Sequence, residues 1–83
     1  MPISAVEIDP RVADVKVTDA QLEVRLRDGR TIAVPLNWFP RLAVADPAAR
    51  ATWELSAAGL GIHWPLIDED LSVEGLLRSR GSD

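Results

Sequence analysis

The sequence predicts an α+β domain: a small antiparallel sheet, built as a three-stranded meander plus a fourth short strand, with two or three short helices on one face. Three observations predict it. Apolar and polar residues alternate in three successive runs between Val12 and Leu36. The pattern then changes to helix starts at Asn37 and at Asp46–Pro47. A short apolar run, Leu60–Trp64, stops at Pro65 and leads into a capped helical stretch.

Val12–Thr18 sets Val15 and Val17 between Asp14, Lys16 and Thr18, the alternation of a half-buried strand. Gln21–Leu26 repeats it, with Leu22, Val24 and Leu26 facing one way and Glu23, Arg25 and Arg27 the other. Asp19–Ala20 between them is a tight turn. Thr31–Leu36 follows with Ile32, Val34 and Leu36. Asp28–Gly29 invites a two-residue hairpin loop, but that loop sets Arg25 opposite Ile32 and mixes charge with apolar residues on one face. A three-residue loop, Arg27–Asp28–Gly29, sets Val24 opposite Ile32 and Leu22 opposite Val34, with Gly29 left-handed. Asp28 and Gly29 are then turn residues. Pro35 suits a strand end or an edge, because it has no N–H to give a ladder.

Asn37 is placed to cap a helix, and Pro40 is tolerated in a first turn. Trp38, Phe39 and Leu42 would bury one side of it. Asp46–Pro47 restarts the pattern, and Ala48–Leu55 holds good helix formers without a breaker. The reading is two short helices, or one broken at Asp46–Pro47, ended by Gly59 and Gly61. Leu60–Trp64 is a strand stopped by Pro65, Asp68–Asp70 a polar turn, and Ser72 the cap of a last helix, Val73–Arg80, with Glu74 in its first turn. Gly81–Ser82–Asp83 is expected to fray.

Eighty-three residues make one domain, 1–83, with an ordered core over about 10–80. A chain of this size buries only about 60–65% of its extended surface. The absence of cysteine excludes disulfides, thiolate zinc sites and cysteine nucleophiles, and agrees with a reducing cytosol. MPISAVEIDP has no basic, then apolar, signal pattern, and no run approaches the roughly 20 apolar residues of a membrane span. A cytoplasmic protein without membrane contact is expected. With net charge −4 and pI about 4.8, phosphate backbones repel the chain unless its arginines gather on one face.

The site-like stretch is GIHWPLIDEDLSVEGLL at 61–77, with the single histidine, a tryptophan and three consecutive acids. A catalytic zinc usually takes three protein ligands, and His63 stands alone. Asp68, Asp70 and Ser72 alternate as in a calcium loop, but its sixth and twelfth positions hold Val73 and Ser79 where glycine and glutamate are needed. No metal or cofactor is expected. His63 either faces outward from its strand or lies satisfied in the core. Gly59 and Gly61 form G-x-G ahead of a strand, unlike a dinucleotide site. Trp38 and Trp64 read as core; Trp53, on a helix of alanine and polar residues, is the candidate interface anchor.

NWFPRL at 37–42, GIHWP at 61–65 and DEDLSVEGLL at 68–77, preceded by the DGR hairpin, make the chain from about residue 10 to 78 resemble the small bacterial proteins of domain of unknown function 2442. Ile67 departs from it, since many relatives are expected to take a shorter or more polar step before the acids. The resemblance implies an α+β domain of this size. It also implies a partner in a two-gene module of toxin–antitoxin type, encoded beside another small protein. Some relatives carry a DNA-binding helix-turn-helix after this domain, and this chain ends where one would begin. No catalytic residue carries over.

Three functional expectations follow. The first is a non-enzymatic interaction domain, antitoxin-like or accessory, that binds a small protein encoded nearby. Its physical motives are an acidic surface, an exposed sheet face or edge, and no convergent catalytic set. The second is a transcriptional or nucleic-acid accessory role, which needs Arg25, Arg27, Arg30 and Arg41 in one basic patch. The third is an enzyme using His63 with Asp68 or Asp70. A homodimer through an edge strand, Val12–Thr18 or Leu60–Trp64, is left open.

Overall fold

In the computed structural model the described residues, 8–78, form two three-stranded antiparallel sheets and three short helices. The first sheet is a meander of β1 (Val12–Val17), β2 (Gln21–Leu26) and β3 (Thr31–Pro35), in that spatial order. A 3-10 turn, Leu36–Trp38, leads into α1 (Pro40–Val44) and α2 (Pro47–Arg50). The second sheet orders β4 (Glu54–Ser56), β5 (Gly61–Trp64) and β6 (Glu69–Ser72), and α3 (Val73–Arg78) follows. The α+β class and the meander are as the sequence predicts.

Hydrophobic parity sets the first sheet's register. Leu22 pairs with Val34 and Val24 with Ile32, around the three-residue loop, and Gly29 takes φ +97°. Between β1 and β2 the register shifts between Val12 and Asp14, leaving Ala13 as an extra residue. That bulge lets Val12 and Val15, three apart, both enter the core. The Thr18 amide donates to the Gln21 carbonyl and the Leu26 amide to that of Arg30. In an antiparallel ladder hydrogen-bonded and non-bonded pairs alternate. Odd residues of β2 therefore serve β1 and even ones β3. Pro35 lies opposite Gln21, an odd residue, so its missing N–H falls on the free edge of β3.

One cluster joins both sheets, α1 and α3. Leu22, Val24 and Leu26 of the first sheet, Ile62 and Trp64 of the second, Leu42 of α1 and Val73 of α3 are almost fully buried. Trp64 is 0% exposed, and its indole N–H donates to the Arg50 carbonyl at 3.1 Å.

The later elements depart from the predicted detail. The strand at 60–64 does not extend the meander; it is the centre of a second sheet, flanked by strands read as helix and as turn. The helix expected over Ala48–Leu55 is a single turn. Asp46 caps it through the Ala49 amide at 2.8 Å, and the chain turns out at Ala51. Glu54–Ser56 instead pairs with β5, and strand pairing there overrides the helix propensity of alanine. Glu69 and Asp70 are strand residues, and only Asp68 of the three acids lies in the turn. Asn37 sits inside the 3-10 turn and does not cap; Phe39 holds the N-cap position of α1, with Pro40 first in the helix. Ser72 does cap, accepting from the Gly75 amide at 2.9 Å. Positions 79–80 of the expected last helix, and the 81–83 tail, lie outside the described residues.

Candidate functional site

Strand alternation decides where the histidine goes. Ile62 and Trp64 turn into the core, so His63 points outward between them. The Val73 amide donates to the Leu60 carbonyl, which makes the even residues of β5 the hydrogen-bonded partners of β6. His63 and Asp70 are then a non-bonded pair, the kind whose side chains stand closer. Their contact is 2.8 Å, from imidazole Nδ1 to Asp70 Oδ1, with the side chains 31% and 69% exposed. An ionised carboxylate only accepts, so Nδ1 carries the proton in this hydrogen bond. On the other side His63 pairs with Glu54 of β4. Glu54, His63 and Asp70 thus form one row across the outer face of the second sheet. Among the described residues no three histidine or carboxylate side chains group so as to hold a metal ion.

The structure brings His63 and Asp70 together and sends Asp68 elsewhere. Asp68 takes φ +54° in the β5–β6 turn, and its carbonyl accepts from Arg41 Nη1 at 2.6 Å. Arg41 therefore ties α1 to that turn. Arg25 stands on the outer face of the first sheet, opposite Asp14 and Thr31. With Lys16 and Glu23 it lines a shallow concavity of about 180 Å³. Arg30 pairs with Asp28 at 2.9 Å, and Arg50 with Asp19 at 3.0 Å. Arg50 also donates to the carbonyls of Leu42 and Ala43.

Trp53 is not on a helix. It lies between α2 and β4, half-buried against the core. Its free side meets a groove of about 500 Å³ beside β1, shared with Val15, Val17, Pro47 and Ala51. The Arg50–Asp19 pair stands at the rim.

Two features escaped the sequence reading. The first is a pair of exposed apolar side chains: Val44, 84% exposed at the end of α1, and Leu66, 67% exposed in the β5–β6 turn. The second is Asp28, read only as a turn residue. Its side chain is 2% exposed. It accepts from the Asp9 amide at 2.9 Å, nineteen residues away, and from the Arg30 amide and Nε. The Arg30 hydrogen bond is the main cause that lowers its pKa from 3.8 to about 2, against the opposing effect of burial. Asp9 is lowered to about 2 in the same way by Arg11. The repeated spacing Asp9-x-Arg11 and Asp28-x-Arg30 was the available signal.

A family model described as "Protein of unknown function (DUF2442)" matches residues 12–82. The chain is also similar to a protein of unknown function from Rhodospirillum rubrum ATCC 11170, solved by crystallography. The two are 32% identical with a TM-score of 0.68, over 81% of this chain and 83% of that one. No curated protein matches the chain.

Proposed function

The chain belongs to the DUF2442 family, and on that premise we propose that it is a non-enzymatic protein–protein interaction domain of the bacterial cytoplasm. In this reading it is the antitoxin-like or accessory member of a two-gene module and docks the small protein encoded beside it. No helix among the described residues is long and apolar enough to cross a membrane.

The observation that carries the reading is the placement of Val44 and Leu66. They are the two most exposed large apolar side chains among the described residues. Val44 is three residues from Arg41 on α1, hence on the same helix face, and Arg41 holds the turn that bears Leu66. Two apolar side chains are thereby offered to solvent on elements joined by a hydrogen bond. Apolar residues around an arginine suit the buried centre of an interface. His63 and Asp70 fit a structural role in this reading, because the register of two adjacent strands makes them neighbours without any convergence of distant elements. The test is co-purification of the tagged chain from its native cells. A stoichiometric companion encoded next to it is expected; isolation without any companion contradicts the reading.

A further inference from the structure

The first sheet has two outer strands, and they are not equivalent. On β3 the free edge carries Pro35, which has no donor. On β1 the alternation set by Thr18 and Gln21 sends the amides and carbonyls of Val15 and Val17 outward, and no described residue pairs with them. The bulge at Ala13 lies at the far end of the strand, so Asp14–Val17 remains regular. The edges of the second sheet are shorter, three residues in β4 and four in β6. A regular edge that no described residue covers is a template for another strand.

Charge decides which strand fits. Asp14 and Lys16 flank Val15 symmetrically, and both are exposed on the outer face. We propose that β1 pairs antiparallel with β1 of a second copy, with Val15 on the two-fold axis. Val15 of each copy then exchanges both backbone hydrogen bonds with its counterpart. Asp14 of each lies directly opposite Lys16 of the other, giving two ion pairs related by the axis. Moving the axis to Lys16 sets ammonium against ammonium, and moving it to Asp14 sets carboxylate against carboxylate. Moving it to Val17 sets Lys16 opposite Thr18 and matches no charges. Only the Val15 register is self-complementary, as a two-fold interface requires. On the opposite face, the grooves beside Val15, Val17 and Trp53 meet across the axis. The result is a six-stranded sheet with the two grooves adjoining.

The β1 pairing uses neither Val44 nor Leu66, so each reading fails or survives by itself. The test is sedimentation equilibrium of the full chain, together with a cysteine cross-link made simple by the absence of native cysteine. The full chain is expected to be a dimer at tens of micromolar, and Lys16→Glu to weaken it about tenfold or more, by replacing two attractions with two repulsions. A mixture of Asp14→Cys and Lys16→Cys chains should form a mixed disulfide faster than either variant links to itself. The cross-link keeps the test open if Lys16→Glu disturbs folding through its neighbour Glu23. A chain monomeric to millimolar concentration, or a dimer that shows no preference for the mixed 14–16 link, overturns the proposal.

Discussion

His63 Nδ1 stands 2.8 Å from Asp70 Oδ1, and the two residues are direct partners in the register of β5 and β6. A histidine beside a carboxylate suggests acid–base chemistry when the two arrive from distant elements. Here they arrive by strand pairing on an exposed face, so a structural contribution of ordinary size is expected. Asp70→Ala should cost about 0.2–1 kcal/mol in urea unfolding. A loss above about 2 kcal/mol would mark the pair as more than a surface contact.

Asp28 is the group with the clearest pH consequence. Its pKa falls from 3.8 to about 2 in the folded chain, chiefly through Arg30. A carboxyl with a depressed folded pKa stabilises fully above its unfolded value, and that contribution fades as pH falls through the folded one. Unfolding free energy should therefore drop between about pH 4 and pH 2. Asp28→Asn should be less stable than the native chain at pH 7 and should lose less on acidification. Two parallel stability curves over that interval would refute the role given to this carboxylate.

Gly29 and Gly59 both have positive φ, at +97° and +92°, yet their surroundings differ. A Cβ at Gly29 meets open space, whereas one at Gly59 lies 3.2 Å from Cβ and Cγ of Arg11. Gly29→Ala should cost about 1–2 kcal/mol from backbone conformation alone. Gly59→Ala should cost more, because Arg11 must also shift. Denaturant midpoints would check the order, and the reverse order would be inconsistent with this packing.

Trp64 joins the core to α2 through its indole N–H on the Arg50 carbonyl. Trp64→Phe keeps an aromatic ring but leaves that acceptor without its donor. A loss of about 1–3 kcal/mol is expected from calorimetric or denaturant unfolding. No measurable change would mean that the hydrogen bond contributes nothing.

The first half of the fold was legible because period and parity coincide there. Leu22, Val24, Ile32 and Val34 admit one register that buries them together, and the structure adopts it. The second half was obscured by composition. Ala48–Ala51 begins a helix, as alanine favours, but Leu55 and Ser56 leave it to pair with Ile62 and Gly61. The tight link to β5 then uses Ala57 and Ala58 at φ 52° and 58°. Alanine gives no local signal for that conformation, since glycine or asparagine is the usual occupant. The same misreading placed Trp53 on a helix. At the site, the outward direction of His63 follows from its alternation with Ile62 and Trp64. Its pairing with Asp70 depended on recognising β6, and three adjacent acids read more naturally as a turn.

The most direct measurement compares the native chain with Val44→Asp/Leu66→Asp in capture of the protein encoded beside it. Both positions are exposed, so the variant should unfold within about 0.5 kcal/mol of the native chain. The companion should co-purify in equal amount with the native chain and be lost from the variant. Equal capture by both, or no companion with either, would contradict an interaction domain working through this surface.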